Sequence, residues 1–503
     1  MFAAIHSATL LGTTGSPITV EAHVGNGIPC FTVVGLPDEG CRESRDRVRA
    51  AMLSSGLEWP NRRITINLAG ARERRGGAGL DLAIAIGLLV ANDVVSHESV
   101  MNLAFIAELG LDGSLRSTAG MAPLIAAIDG RECVISPDAI EEAMVARPQF
   151  VRPIHSLREL VYVLRGESPW PDIDVPHVSV EVDNVPDLAD VRGQQSARLA
   201  LEVAASGFHH MLMIGPPGAG KSMLARRIPG LLPRLTEDEA FSCAMVRSAA
   251  GLSATPTIAS SPPFRAPHHS ISMPAMVGGG SVHIRPGEMT LASHGVLFLD
   301  EMGEFAPSVL DALRQPLEEG VVHIARAHGA VSMPAHCLLV AATNPCPCGG
   351  GGRGGCTCQA PARQRYLRRF NGPLLDRFDL RILLTRPSTH ELTSDAPGES
   401  SAAVAERVQR VRAKSMSRQG CVNSAIPADI LDDVAPLSDE AMSCLRQRLD
   451  EGRLSGRGYH RIRRVARTLA DMHDEDGVIS VRWVELAMRL RASMNTADGT
   501  FQS

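Results

Sequence analysis

Residues 215–222 read Gly-Pro-Pro-Gly-Ala-Gly-Lys-Ser, and this segment is the strongest indication of the fold. Its spacing, G-x-x-x-x-G-K-S, is that of a phosphate-binding loop, whose glycines let backbone N–H groups turn toward an anion. An apolar run at 210–214 precedes it and helix-forming residues fill 222–228, so we predict a buried parallel strand, the loop and then a helix. A helix N-terminus favours negative charge, and this context disfavours the alternative of an ordinary glycine-rich turn.

Lysine is otherwise nearly absent from the chain. Of its 50 cationic residues only two are lysines, and one of the two is Lys221 in the loop. We expect Lys221 to reach the β- and γ-phosphates of a nucleotide and the Ser222 hydroxyl to ligate Mg²⁺. The predicted nucleotide-binding residues of the loop are Gly215, Pro216, Pro217, Gly218, Ala219, Gly220, Lys221 and Ser222.

Two further apolar strands end in polar side chains. Residues 296–299 lead into Asp300 and Glu301, which places Asp300 to ligate Mg²⁺ and Glu301 to polarise a water for attack on the γ-phosphate. Residues 338–343 lead into Asn344, whose amide is predicted to hold that water or the γ-phosphate. A turn-forming asparagine is the common alternative at such a position.

Two arginines are candidates for binding the γ-phosphate during hydrolysis. We consider Arg377 as a cation supplied to the transition state by a neighbouring subunit, and Arg457 as a γ-phosphate sensor on a helical domain. In a chain with 48 arginines (50 cations minus two lysines), surface solvation is the alternative for each. The residue pattern alone leaves both interpretations open.

Composition restricts the class of protein. A chain of 503 residues with 44% apolar residues predicts a soluble protein of about three domains. The longest apolar stretch, 82–91, is too short to cross a bilayer, and the first residues lack the basic start of a secretory signal, so we expect a cytoplasmic location without a membrane partner. A net charge of −5 repels phosphate at long range, so any contact with nucleic acid must be local.

The order of apolar patterns predicts an α/β fold in several parts. Residues 1–168 mix alternating strands with helices, one of them predicted at 81–91, as in an α+β domain, and the acidic, proline-rich residues 169–187 are predicted to be a linker. Residues 188–387 alternate strands and helices, which predicts a parallel sheet, and residues 388–503 are predicted to form a helical lid whose last helix is 481–493.

Four cysteines interrupt the predicted parallel sheet at 346–358. The chain has eleven cysteines, an odd number, which argues against a disulfide framework. The array C-x-C and then C-x-C, formed by Cys346, Cys348, Cys356 and Cys358, suits a closed, structural Zn²⁺ site. Reduced thiols on a flexible loop and an iron–sulfur cluster are the alternatives.

These motifs, in this order, resemble the AAA+ ATPases, and within them the magnesium-chelatase-like branch and its YifB/ComM family. The resemblance extends over nearly the whole chain. Besides the loop, the stretches that carry it are 190–194 (Asp-Val-Arg-Gly-Gln), 264–270 (Phe-Arg-Ala-Pro-His-His-Ser), 278–280 (Gly-Gly-Gly), 286–288 (Pro-Gly-Glu), 295–301 (Gly-Val-Leu-Phe-Leu-Asp-Glu), 344–349 (Asn-Pro-Cys-Pro-Cys-Gly) and 455–461 (Ser-Gly-Arg-Gly-Tyr-His-Arg).

The resemblance implies a P-loop parallel-sheet motor with a helical lid, working as a homo-hexameric ring with ATP and Mg²⁺ bound between subunits. It implies an ATPase and, for ComM-type proteins, a DNA helicase that drives branch migration during DNA uptake and recombination. By motif matching, Asn344 is the first sensor, Arg377 the trans-acting finger and Arg457 the second sensor. An ATPase subunit that remodels a protein partner is the alternative function, and a scaffold that binds ATP without hydrolysing it is another.

A hairpin is predicted to carry the DNA contact. Two β-prone runs within 319–333 flank Arg326-Ala-His-Gly, and the family resemblance implies a hairpin here that points into the ring pore. Arg326 is therefore the predicted DNA contact, with an ordinary hairpin-tip arginine as the alternative. Because aromatic residues are only 4% of the chain, we expect single-stranded or branched DNA to be bound through its backbone, without sequence preference.

A second basic cluster lies around Tyr366, where phosphate binding and a subunit interface are both possible roles. Its arginines are Arg363, Arg365, Arg368 and Arg369.

The N-terminal region resembles the Lon-protease-like (S5-like) domain that precedes the motor in this family. A Lon-type peptidase needs a serine nucleophile and a lysine base. No lysine occurs in residues 1–220, the glycine-rich stretch 76–79 holds no serine, and Ala122 stands near the expected lysine. We therefore expect a domain without the catalytic dyad, which shapes the assembly or engages substrate.

Overall fold

The structure, a computed structural model, describes residues 1–34, 38–70, 78–146, 151–172, 185–254, 261–280, 284–326, 329–350, 356–367, 372–393, 398–495 and 500–502. Most of the predicted linker, residues 173–184, lies outside these ranges. None of the helices in the described ranges is long and apolar enough to span a membrane.

The N-terminal part is built on a seven-stranded mixed sheet in the order β3-β4-β2-β1-β5-β8-β9. Its strands and the short pair β6 and β7 are β1 (Phe2–Leu11), β2 (Thr14–Gly25), β3 (Cys30–Val34), β4 (Arg63–Ala69), β5 (Leu103–Ile106), β6 (Glu108–Leu109), β7 (Leu115–Arg116), β8 (Glu132–Ile135) and β9 (Val151–Pro153). Its helices are α1 (Asp38–Ser54), α2 (Asp81–Ala91), α3 (Met121–Ala126), α4 (Ile140–Ala146) and α5 (Leu157–Leu164).

The central part is a five-stranded parallel sheet in the order β11-β14-β17-β10-β18. The strands of this part are β10 (Met211–Ile214), β11 (Phe264–Arg265), β12 (Gly278–Gly279), β13 (Arg285–Pro286), β14 (Val296–Leu299), β15 (Val321–Arg326), β16 (Gly329–Pro334), β17 (Leu338–Thr343) and β18 (Leu380–Leu383). The helices are α6 (Gln195–Gly207), α7 (Lys221–Ala225), α8 (Glu237–Ala249), α9 (Met273–Val277), α10 (Glu288–Leu291), α11 (Pro307–Ala312), α12 (Arg314–Glu319), α13 (Ala360–Leu367), α14 (Gly372–Leu375) and α15 (Thr389–Thr393).

The three central strands of the five-stranded sheet, β10, β14 and β17, are buried on both faces, which explains their nearly continuous apolar sequences. On β10, Met211 and Met213 pack into one core, which also contains the helices of the C-terminal part, called the lid below. Leu212 and Ile214 pack into a second core on the opposite face. The predicted α/β class with a parallel sheet is therefore confirmed.

The C-terminal part is mainly helical and packs on the first of these cores. Its elements are α16 (Ser401–Gln419), α17 (Leu431–Val434), α18 (Asp439–Asp450), α19 (Gly456–Met472), α20 (Val481–Arg489), β19 (Ser493–Asn495) and β20 (Thr500–Gln502). A buried polar cluster fastens α19 to the sheet. Asp379, directly before β18, accepts from Arg461 of α19 and lies 3.2 Å from His209 Nδ1.

The N-terminal part contacts the central part through α3, α8 and the turn between β1 and β2. Ser248 of α8 accepts from Gly120 N at 2.9 Å through its carbonyl and from Ala122 N at 3.1 Å through its hydroxyl, and this hydroxyl donates to Glu142. Burial raises the pKa of Glu142. Ala122, which stands near the expected position of a Lon-type lysine, is thus buried in the contact between the N-terminal and central parts. The glycines Gly76 and Gly77 lie outside the described residues.

Candidate nucleotide site and arginine cavity

The predicted phosphate-binding loop lies between β10 and α7, at the carboxyl edge of the parallel sheet, which is where open α/β sheets bind ligands. Gly218 and Gly220 have φ angles of +80° and +85°, a region that favours glycine. Among the described residues, nothing lies within 4 Å of a Cβ atom added to either glycine, which leaves room for a phosphate group above the loop.

Lys221 connects the loop to the neighbouring strand. Its Nζ atom donates to the carbonyls of Gly215 at 2.7 Å and Pro216 at 3.1 Å, and to Asn344 Oδ1 at 3.1 Å. Asn344 directly follows β17, which pairs with β10 in parallel, so the register brings the predicted first sensor to the loop. Burial lowers the pKa of Lys221, and the nearby carboxylates of Asp300 and Glu301 oppose that shift.

Ser222 and Asp300, the two predicted Mg²⁺ ligands, are in direct contact. Ser222 Oγ donates to Asp300 Oδ2 at 2.6 Å, and Asp300 Oδ1 accepts from the backbone N–H of Glu301 at 3.0 Å. Hydroxyl and carboxylate oxygens are the hard donors that Mg²⁺ prefers, so this pair fits the ion.

Glu301 has a left-handed backbone, with φ of +50°, and its side chain is 59% exposed. Its Oε2 atom lies 3.8 Å from His269 Nδ1. The sheet explains this approach, because Arg265 of β11 pairs with Leu297 of β14, and His269 and Glu301 each follow four residues later. The Pro-His-His stretch carries part of the family resemblance, but the sequence pattern did not predict this approach of His269 to Glu301.

Arg377 and Arg457 lie together in a cavity of about 470 Å³ that Arg461 and Arg464 also line. Among the described residues that line it, none belongs to the loop 215–222. The structure therefore groups the two predicted γ-phosphate ligands with each other and not with Lys221. We call this feature the arginine cavity.

The four arginines of the arginine cavity differ in their partners. Arg461 donates to Asp379 and so ties the lid to the sheet, whereas Arg464 donates to the carbonyl of Ile426 at 2.6 Å, within the lid itself. Arg377 forms an ion pair with Glu318. Arg457 is exposed, and its side chain makes no hydrogen bond or ion pair with any residue that the structure describes.

The four predicted zinc ligands converge. The sulfur atoms of Cys346, Cys348 and Cys356 are 3.4–3.7 Å apart, and all four, with Cys358, lie within 4.8 Å of one another. A tetrahedral Zn²⁺ with bonds of about 2.3 Å requires sulfur separations of about 3.8 Å, so the cluster has the right size. Next to it, Gly349 packs so closely on Pro217 of the phosphate loop that an added Cβ would be 2.7 Å from Pro217 Cδ.

The predicted hairpin is present as β15 paired with β16. Arg326 ends β15 opposite Gly329; its side chain and residues 327–328 lie outside the described set.

In the second basic cluster, Arg363 and Arg365 are on α13, whereas Arg368 and Arg369 lie outside the described residues. Tyr366 is buried, and its hydroxyl contacts Thr343 Oγ1 at 2.9 Å and the Asn344 carbonyl at 3.2 Å. This contact with the predicted first sensor, Asn344, was not itself predicted, because a lone tyrosine among arginines gives no such signal.

Family profiles match successive parts of the chain. "Magnesium chelatase, subunit ChlI" matches residues 187–392, "Subunit ChlI of Mg-chelatase" matches 20–138 and "Magnesium chelatase, subunit ChlI C-terminal" matches 398–491. The central match covers the five-stranded parallel sheet, and the C-terminal match covers the helices of the lid.

Individual proteins resemble the chain over almost its full length. It is 41% identical over 493 residues to the competence protein ComM of Haemophilus influenzae, covering 96% of each chain. It is 39% identical over 495 residues to the uncharacterised protein YifB of Escherichia coli, covering 97% of this chain and 96% of that one. A shorter similarity, 25% identity over 225 residues, covers 44% of this chain and 22% of the DNA helicase MCM8 of Gallus gallus.

The sheet, loop and acidic pair define a magnesium-chelatase-like AAA+ ATPase. The chain belongs, within that class, to the YifB/ComM family.

Proposed function

We propose that this protein is an ATP-driven DNA motor that works as a homo-hexameric ring, with each ATP bound between two subunits. The arginine cavity is the main support for a nucleotide site formed between two subunits. Arg377 and Arg457 line it together, and no residue of the loop 215–222 in the same chain is among its described lining residues. Two cations that serve a γ-phosphate but lie apart from their own loop are best explained by a nucleotide on the neighbouring subunit.

The residues on the loop side would bind and orient the nucleotide. Backbone N–H groups of the loop and Lys221 would hold the phosphates, and Ser222 and Asp300 would hold Mg²⁺. The ion, when bound, would neutralise phosphate charge. Asn344, held by Lys221, and Glu301 would orient the attacking water, and Arg377 and Arg457 of the adjacent subunit would stabilise the charge that develops on the γ-phosphate.

The DNA role rests on the names of relatives and on the hairpin. One relative is named as a competence protein and another as a DNA helicase, and β15 and β16 form the hairpin that was predicted to meet DNA in the pore. We include a structural Zn²⁺ at the four cysteines in the proposal, because their sulfur separations fit a tetrahedral ion.

The first experiment compares ATP hydrolysis by the purified protein with and without single-stranded, forked and four-way DNA. Stimulation by DNA is expected, together with strand displacement or branch migration that needs ATP. The family profiles carry the name of magnesium chelatase, which favours one alternative, an ATPase subunit that remodels a protein partner. Hydrolysis that no DNA structure alters would replace our proposal with that alternative.

A second experiment tests the shared site by mixing inactive variants. Glu301→Gln and Arg457→Gln should each lose most hydrolysis alone. In mixed rings, some interfaces combine an intact Glu301 from one subunit with an intact Arg457 from its neighbour, so activity should return. If mixing restores nothing while the variants still co-assemble, Arg457 does not act on a neighbour.

A further inference from the structure

Both stems of the predicted DNA-binding hairpin border the arginine cavity. Residues 317–320, which lead into β15, and residues 335–337, which follow β16, line its wall. The backbone N–H of Ala335 donates to the Gly320 carbonyl at 2.8 Å and closes the base of the hairpin. A displacement of the hairpin therefore displaces one wall of the cavity.

One residue of that wall holds the predicted trans-acting finger. Glu318, in the last turn of α12, forms an ion pair with Arg377 Nη1. The Arg377 side chain is 10% exposed, whereas that of Glu318 is 51% exposed at the rim. Arg377 Nε is buried and has no hydrogen-bond partner among the described residues, so the guanidinium keeps an unused donor inside the cavity.

The carboxylate of Glu318 opposes the binding of a phosphate there. A negative charge at the rim repels an incoming phosphate, and a phosphate that is to engage Arg377 must compete with a partner already in place. Arg457 has no such partner among the described residues. One of the two predicted γ-phosphate ligands is thus available, and the other is restrained.

We propose that Glu318 is a positioning residue that holds Arg377 back from the neighbour's nucleotide until DNA on the hairpin moves α12 and weakens the ion pair. This inference rests on the proposed function, because it takes the hairpin as the DNA contact and Arg377 as the trans-acting finger. The release of Arg377 would explain how DNA in the pore raises the rate of hydrolysis. A movement of the hairpin would reach Glu318 directly, because α12 ends at Glu319 and only Gly320, with φ of +69°, separates it from β15.

The test is Glu318→Gln, which removes the charge and keeps the shape. We expect the kcat for ATP without DNA to rise by roughly two- to fivefold, equivalent to about 0.4–1 kcal/mol at 1.36 kcal/mol per tenfold change, with little change in KM. Stimulation by DNA should shrink by the same factor. The matched control is Asp311→Asn, because Asp311 is 47% exposed and pairs with Arg314, the first residue of α12, at 2.7 Å, but does not line the cavity.

Combining Glu318→Gln with Arg377→Gln distinguishes a specific release of Arg377 from a general loosening of the structure. In a chain that carries Arg377→Gln, the Glu318→Gln change should leave the DNA-independent rate unaltered, because the residue to be released is gone. A rise in that background, or an equal rise in Asp311→Asn, would overturn the inference, as would a fall in kcat for Glu318→Gln alone.

The proposed function and the role of Glu318 fail in different ways. If DNA does not stimulate the parent protein, the motor proposal fails, while the DNA-independent rate of Glu318→Gln still reports on the restraint of Arg377. If DNA stimulates the parent and Glu318→Gln equally, from the same basal rate, only the role of Glu318 is wrong.

Discussion

Replacing Asp379 by asparagine should loosen the lid from the sheet. Asp379 is 5% exposed, lies 3.2 Å from His209 Nδ1 and accepts from Arg461 of α19. Burial opposes its ionisation, but Arg461 and His209 outweigh burial and lower the pKa of the Asp379 carboxyl. Asp379 is therefore ionised, and its negative charge compensates the positive charge of Arg461.

The size of the effect follows from what the substitution leaves behind. Removing one partner of a buried ion pair costs roughly 3–5 kcal/mol, because the other charge stays buried. Arg461 is 16% exposed and keeps a 2.8 Å hydrogen bond to the Arg377 carbonyl, which offsets part of the loss. We expect a loss of about 2–3 kcal/mol in the local free energy of opening.

Hydrogen exchange measures this local opening without requiring the whole chain to unfold in one step. Amides of α19 and of residues 379–383 should exchange about 30- to 150-fold faster in Asp379→Asn, at 1.4 kcal/mol per tenfold. The control is Asp376→Asn, because Asp376 is 39% exposed and lies 3.6 Å from Arg381. Exchange in Asp379→Asn that stays within threefold of this control would refute the argument, since the cluster would then contribute little to lid docking.

Three further predictions concern other parts of the molecule. Burial lowers the pKa of His210 from 6.5 to about 4. Between these two pH values the unfolded chain binds a proton that the folded chain does not, so the free energy of unfolding should fall as the pH drops from 7 to 5. In urea unfolding, this fall should be larger by about 1–2 kcal/mol in the parent protein than in His210→Gln, and equal falls would contradict the assignment. Protein purified without chelator should contain one equivalent of zinc per chain by elemental analysis, and Cys356→Ser should lose it; a content far below one equivalent would leave the four cysteines as free thiols. Arg326→Ala should reduce DNA-stimulated hydrolysis and spare the rate without DNA, whereas unchanged stimulation would remove Arg326 as a DNA contact.

Much of the fold was accessible from sequence because local pattern and burial agree. The apolar run 81–91 was predicted as a helix and forms α2 with the same bounds, and all its residues are buried. The predicted helix 222–228 is shorter, since α7 ends at Ala225 and a turn containing Pro229 follows. The last predicted helix, 481–493, ends at Arg489 because Arg381 of β18 then exchanges backbone hydrogen bonds with Leu490 and Ala492.

The arginines show where sequence reasoning reaches its limit. The loop residues, the acidic pair and Asn344 are each set by a strand that ends at one sheet edge, so their meeting could be predicted from register alone. The position of Arg457 depends on how the lid docks, and that docking depends on pairs such as Arg461 with Asp379, 82 residues apart in sequence. Nothing local distinguishes Arg457, whose side chain lacks a partner among the described residues, from Arg461, which binds Asp379 next to the sheet.

The cysteine cluster lies next to the candidate nucleotide site, so a metal bound there would have a consequence beyond local folding. Its chain segment leaves from Asn344, which contacts Lys221, and returns through α13 to Tyr366, which contacts the Asn344 carbonyl. Between those ends, Gly349 packs against Pro217 of the phosphate loop. A structural metal contributes folding free energy to the segment that it ties together. A closed Zn²⁺ site would therefore stabilise three contacts together: the two that Asn344 makes with Lys221 and Tyr366, and the one between Gly349 and Pro217. Loss of a bound metal should therefore disturb nucleotide hydrolysis before it disturbs the sheet, because the central strands of the sheet are buried on both faces.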